Sequence, residues 1–263
     1  MNQLRAIWAY RFFIISSIKT EFKTRFIRSR LGGIWIVLNP LAQVAIYALV
    51  LSAVLSAKLP GIDSQYAYAI YLMAGMLSWS LFSEVFTKSL NIFIENANLI
   101  KKMAFPKIAL PLIVTGSALI NNMFLFMAVL VVFGLLGHTP TFALLWFPLL
   151  VAITLALALG LGLTLGILNV FMRDIGQMMP ILLQFWFWLT PIVYVSTILP
   201  PKYQDILLIN PMTGVILSYQ NIFVYSKSID FNTLIYPITI ALISIFLALF
   251  MFFRANEEMA DVL

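Results

Sequence analysis

Residues 108–172 read IALPLIVTGSALINNMFLFMAVLVVFGLLGHTPTFALLWFPLLVAITLALALGLGLTLGILNVFM, 65 residues without a charged side chain. A helix that crosses the hydrocarbon core of a bilayer needs about 20 apolar residues, so this run predicts two crossings joined by a turn. Gly137-His138-Thr139-Pro140-Thr141 supplies the turn, because Gly and Pro interrupt a helix. The whole chain shares this character: of 263 residues, 62% are hydrophobic, 14% aromatic and 10% charged, and the mean hydropathy is +1.01. Soluble domains carry about 25% charged residues. Too few charges remain here to cover a water-facing surface, which excludes a soluble enzyme and makes lipid the main solvent.

Working outward, four further apolar stretches predict crossings at 34–57, 67–88, 177–196 and 233–253, six in all. Thirteen of the sixteen Lys and Arg fall on one side of this arrangement, seven of them between Arg5 and Arg30. Lys58, Lys202 and Lys227 fall on the other. Positive residues accumulate on the cytoplasmic side, so both termini are expected there, with no cleavable signal peptide. Read as a helix, residues 3–30 gather Leu4, Trp8, Ile15, Phe22 and Phe26 on one face, with Arg5, Thr20, Lys23, Thr24 and Arg28 off it. Arg11 and Lys19 intrude on that face and are expected to snorkel. Such a helix is expected in the cytoplasmic headgroup layer. Residues 197–232 are too apolar for a solvated loop and are interrupted at Asn210-Pro211, a pattern expected of two short helices dipping back into the membrane. The expected fold is an all-α integral membrane protein: an amphipathic interface helix at 1–31, a six-span core at 32–253 with short re-entrant helices between spans 5 and 6, and a cytoplasmic tail at 254–263.

Several chemistries are excluded. Without cysteine, and with His138 as the single histidine, the chain offers no thiolate or His-cluster metal site. It contains no phosphate-cradling G-x-x-x-x-G-K-[ST], no H-E-x-x-H and no G-x-S-x-G. Gly160, Gly162 and Gly166 lie inside a charge-free span and read as helix-packing positions. Glu84 is the one ionisable residue well inside a span; Lys88, one helical turn on, is its expected partner. Spans so poor in ionisable groups cannot house ion coupling, so a separate cytoplasmic motor must supply energy. The spans are rich in aromatics instead: Phe185-Trp186-Phe187-Trp188, and Trp79 beside Tyr66, Tyr68 and Tyr71. Tyr66 and Tyr68 are expected in an interfacial belt. The tryptophans of span 5 suit a path for a long neutral polymer, since aromatic faces stack on sugar rings.

Further segments share one pattern. Residues 25–35 read RFIRSRLGGIW, followed by Leu38-Asn39-Pro40; residues 75–79 read GMLSW; residues 95–107 read ENANLIKKMAFPK, closed by Leu110-Pro111. Then come LNVFMRD at 168–174, LTPI at 189–192, LINPM at 208–212 and MADVL at 259–263. In order and spacing these resemble the membrane subunit of bacterial type-2 ABC exporters for polysaccharides, the group handling O-antigen, capsule and teichoic acid. The resemblance implies export of a lipid-linked polysaccharide, O-antigen foremost, across the inner membrane by a homodimer joined to two copies of a cytoplasmic ABC ATPase. ATP and Mg would then bind the partner ATPase, with no cofactor, metal or catalytic residue on this chain. It further implies an ATPase-coupling helix carrying Glu95, Asn98, Leu99, Lys101, Lys102, Phe105 and Pro106. A pore lined partly by aromatics makes Trp79, Phe185, Trp186, Trp188 and Tyr194 the translocation candidates. Arg173, and alternatively Arg28 and Arg30, are candidates to meet the lipid phosphate, for which guanidinium geometry is suited. An exporter of drugs or small lipids, or a membrane-embedded glycosyltransferase, are the alternatives; the second would need paired carboxylates, and no D-x-D occurs.

Overall fold

A computed structural model describes residues 8–26, 29, 31–55, 67–102, 107–138, 141–255 and 258–262. Among them there is no strand. The helices are α1 (Arg11–Phe26), α2 (Ile34–Leu55), α3 (Ala67–Glu95), α4 (Ala97–Lys102), α5 (Ala109–Leu135), α6 (Phe147–Phe171), α7 (Asp174–Trp188), α8 (Pro201–Leu208), α9 (Pro211–Phe223), α10 (Phe231–Ala255) and α11 (Glu258–Val262). Four segments are long and apolar enough to cross a membrane: α3, α5, residues 142–171 including the 3-10 turn before α6, and α10. The pair α8 and α9, bent by 102°, passes the same test as one broken span. The other two expected crossings correspond to α2, with 22 residues, and α7.

The core is built around α3, where burial is nearly continuous from Ala67 to Phe93. Its 29 residues reach about 42 Å at about 1.5 Å per residue, longer than the hydrocarbon layer. The glycines of α6 explain how tightly the neighbours close on it. A Cβ on Gly166 would stand 2.4 Å from the Ser89 carbonyl oxygen, and one on Gly162 would stand 2.9 Å from that of Phe86. Gly160 faces the other way, against Ser244 of α10. The expected helix-packing role of these glycines is what the backbone shows.

The chain enters α2 through Gly32, whose φ of +50° is open to glycine at little cost; its N–H donates to Ser29 Oγ at 3.1 Å. The preceding α1 lies against α5, Ile18 covering Gly116. Its faces differ from the simple expected pattern. Trp8, Phe12 and Ile15 are exposed, while Ser17 and Glu21 turn inward. Arg11 does not reach away from the apolar side; its guanidinium lies over the rings of Trp8 and Phe12.

The expected helix over 177–196 is corrected. Helix α7 ends at Trp188, and its 15 residues span only about 22 Å. Residues 189–195 continue as irregular, largely buried backbone. Buried carbonyls need partners where water is absent, and side chains from distant helices provide them. Tyr68 Oη donates to the Val193 carbonyl at 2.6 Å. Tyr71 Oη reaches the carbonyls of Pro191 and Tyr194 at 3.1 and 3.0 Å. Gln220 Nε2 donates to Pro191 at 2.9 Å. Tyr68 is therefore no interfacial belt residue: it is buried, held by a backbone acceptor 125 positions away. Tyr66 lies outside the described residues.

The break at Asn210-Pro211 is as expected. Asn210 caps α9 by accepting from the Met212 N–H at 2.9 Å, and Pro211 suits the first helical turn. Helix α9 is buried along its length against α3, α6 and α10, which fits a re-entrant element.

Candidate coupling and translocation surfaces

Helix α3 stops at Glu95 because Asn96 turns its side chain back: Nδ2 donates to the Ile92 carbonyl at 2.8 Å, and the Asn96 carbonyl accepts from Leu99 and Ile100. The short α4 follows. Glu95, Asn98 and Lys101 are exposed, Leu99 is half-buried and Ile100 is buried. Lys102 ends α4; Phe105 and Pro106 lie outside the described residues. The exposed residues present a polar edge, with the apolar ones turned to the protein. Helix α11 packs beside α4 and α6 through the fully buried Met259, so the tail belongs to the same end of the bundle as α4.

Next to α4 lies a charged junction. Lys88 Nζ meets Glu84 Oε1 at 2.9 Å, as the one-turn spacing predicts, and also Glu21 Oε1 at 2.6 Å and Ser117 Oγ at 3.1 Å. Asn121 donates its amide to the same Glu84 oxygen. One ammonium thus links α1, α3 and α5, and its three donors match three acceptors. A cleft of about 330 Å³ runs from this junction to α4, lined by Glu21, Lys88, Glu95, Asn96 and Leu99 among others. Of the sequence-derived coupling residues, Glu95 and Leu99 line the same cavity as Glu21 and Lys88 of the junction.

At the other end, the aromatic candidates divide. Trp79 is buried, its ring 5.6 Å from that of Phe187. Trp186 packs on Phe82 at 5.2 Å and donates through Nε1 to Asn210 Oδ1 at 2.7 Å. These two lie inside the protomer and tie α7 to α3 and to the cap of α9. Phe185 and Trp188 are exposed, at 64% and 52%. Tyr194 is half-buried, in the irregular segment held by Tyr71. Only Met179, Leu183 and Phe187 of α7 are buried, a single stripe at four-residue spacing. Met178, Ile181, Leu182, Phe185 and Trp188 of the same helix are exposed apolar side chains.

Arg173 is exposed just before α7; Arg28 and Arg30 lie outside the described residues. The turn beside Arg173 is held by Asn169, which accepts from the Gly176 N–H at 2.8 Å and donates to the Leu90 carbonyl at 3.2 Å. No group of three His, Cys, Asp or Glu able to hold a metal occurs among the described residues. Lys107, at the entry to α5, has its pKa lowered by burial.

The family model described as ABC-2 type transporter matches residues 13–224, from α1 to just past α9. The chain belongs to that family. The ABC-2 protein is similar to the O-antigen export system permease protein RfbA of Myxococcus xanthus, 29% identical over 260 residues and 98% of each chain. Two proteins of the same name from Klebsiella pneumoniae are each 29% identical to it, over 204 and 207 residues, covering 77% of this chain and 76% of theirs. The ABC-2 protein is a multi-pass permease subunit of an ABC transporter.

Three side chains of this ABC-2 protein that bridge distant helices or hold the backbone near the candidate surfaces were not among the sequence-derived candidates. Glu21 carried a signal, being the lone acid among the basic residues of α1. Asn169 stood inside the motif at 168–174 without a role of its own, and Gln220 carried no signal beyond being an amide inside an apolar stretch, where an unsatisfied amide is costly.

Proposed function

We propose that the chain is the transmembrane subunit of an ATP-driven exporter of lipid-linked O-antigen across the bacterial inner membrane. The observation that carries this reading is the similarity, nearly end to end, to a protein named as an O-antigen export permease. The subunit works as a homodimer with two copies of a separate ABC ATPase, which binds ATP and Mg and performs the hydrolysis; this chain binds no cofactor. The open apolar side of α7 supports the dimer, because an exposed patch of this kind marks an interaction surface or a ligand path. Two such surfaces brought together enclose a route whose walls include Phe185 and Trp188. The coupling helix, with Glu95, Asn98, Leu99, Lys101, Lys102, Phe105 and Pro106, sits on the ATPase. Arg173, Arg28 and Arg30 attract the lipid phosphate at the same face. The chain forms one domain with six crossings, and both termini lie in the cytoplasm.

The experiment is reconstitution of the chain with its ATPase in vesicles loaded with lipid-linked O-antigen. ATP-dependent appearance of glycan on the far side supports the reading. Transport of a small hydrophobic drug in place of glycan overturns it.

A further inference from the structure

A polar cavity of about 160 Å³ lies between α2, α3 and α5, away from the exposed side chains of α7. Trp35 and Asn39 of α2 line it, with Ser80 and Glu84 of α3 and Asn121 and Asn122 of α5. Glu84 and Ser80 stand about 16 and 22 Å from the Glu95 end of α3, so the cavity lies at membrane depth. Polar side chains at that depth are costly and mark the routes of polar ligands.

The donors of these side chains are used within the protein. Asn121 donates its amide to Glu84, Asn122 donates to the Leu77 carbonyl at 3.0 Å, and Ser80 Oγ donates to the same carbonyl at 3.2 Å. The amide oxygens of Asn121 and Asn122 are buried and have no partner among the described residues. These two helices therefore offer the cavity acceptors, and its occupant must bring donors. An anion is repelled by such a lining, and an acyl chain would leave it unsatisfied. A cation is not required either, because Lys88 already meets the Glu84 carboxylate at 2.9 Å. What remains is a neutral molecule rich in hydroxyls. The exposed indole of Trp35 adds an aromatic face beside the acceptors, and a sugar ring combines hydroxyl donors at its edge with C–H groups on its face.

We propose that this cavity is a saccharide-binding site, which takes one sugar unit of the glycan with its ring on Trp35 and its hydroxyls on Asn39, Asn121 and Asn122. The site rests on the reading of the chain as a glycan exporter and adds to it a contact for the polymer apart from α7.

The chain has no cysteine, so Ile36→Cys places a single thiol in the cavity wall. The test measures its modification by a methanethiosulfonate reagent in vesicles that hold the full chain with its ATPase, without ATP. Lipid-linked O-antigen should slow the modification about fivefold, the change that one hydrogen bond supports. Thr141→Cys, exposed in the turn before α6, should react at the same rate with and without glycan. Adding Trp35→Ala to Ile36→Cys should remove most of the protection. Absence of protection, or protection that survives Trp35→Ala, overturns the proposal. Equal protection by the same carrier lipid stripped of its glycan overturns it by assigning the cavity to lipid, and protection by sodium chloride alone overturns it by assigning the cavity to a cation. ATP-driven export by the natural protein, measured in the same vesicles, separates the two readings. Export without protection removes this site and leaves the exporter standing, whereas no export of glycan removes both.

Discussion

Replacing Lys88 with Met removes the one ammonium that Glu21 and Glu84 share. Both carboxylates and Ser117 then lose that donor, Glu84 keeping only the Asn121 amide among the bonds described above, while the methylene volume of the side chain is kept. The three side chains are partly buried, at 25% exposure for Lys88, 35% for Glu21 and 22% for Glu84. A fully buried pair costs about 3–5 kcal/mol when one partner goes, and an exposed pair about 0–1 kcal/mol. The geometry falls between these limits, so the expected loss is about 2 kcal/mol. For a chain of this size that corresponds to a melting point lowered by about 4–8 °C. Intrinsic fluorescence of the purified protein in detergent reads the transition. Removing the stranded charges as well, in Glu21→Gln/Glu84→Gln/Lys88→Met, should recover most of the loss, since neutral partners left together cost far less than an unpaired charge. Lys88→Met melting within 1 °C of the natural protein, about the shift of a surface pair, refutes the reasoning. So does a triple variant no more stable than the single one.

Tyr71→Phe removes the donor to the Tyr194 carbonyl and one of two donors to the Pro191 carbonyl, which keeps Gln220, and should cost about 1–3 kcal/mol; limited proteolysis should show faster cleavage in 189–195. Gly166→Leu drives a side chain into the Ser89 carbonyl and should prevent stable assembly, whereas Gly134→Ala, where a Cβ meets nothing within 4 Å, should melt like the natural protein. Trp186→Ala should lower stability by about 3–5 kcal/mol by opening a cavity and freeing Asn210. Trp188→Ala, on the exposed side of α7, should leave the melting point unchanged and reduce glycan export in reconstituted vesicles; the opposite pattern would reverse the roles of the two tryptophans.

What the sequence made legible follows from the range of the forces involved. A charge-free run of 65 residues in 108–172 leaves no option but burial in lipid. Gly160, Gly162 and Gly166 are readable because, between large apolar neighbours, their small size serves helix packing. Asn210-Pro211 is readable because a cap followed by proline is a local signal. The end of α7 at Trp188 was not readable. Thr190-Pro191 is compatible with either a kinked crossing or a stop, and the choice is made by Tyr68, Tyr71 and Gln220, up to 125 positions away. The same limit applies to the junction. Glu84 and Lys88 are one turn apart and visible as a pair, while Glu21 reaches Lys88 across 67 positions. The aromatic candidates are legible by type, yet type alone does not distinguish the half-buried Trp186, bonded to Asn210, from the exposed Trp188.

The long-range contacts share one element. Helix α3 carries Tyr68 and Tyr71 near its first turn and Glu84, Lys88 and Glu95 in its second half, without a proline and with burial along most of its length. An unbroken helix of about 42 Å packed on glycine-backed neighbours cannot shorten or bend at one end alone, because close-packed interiors resist local deformation. A displacement of Glu95 and the adjoining α4 that leaves α3 intact must therefore be taken up by the contacts of its far end. Those contacts are the hydrogen bonds from Tyr68 and Tyr71 to Val193, Pro191 and Tyr194, in the irregular backbone that follows the open surface of α7. Irregular backbone is the part of such a fold that can change its dihedral angles at least cost, since no helical ladder has to break. The same tyrosines that satisfy the segment at rest are thus the points through which a shift of α3 would reach it.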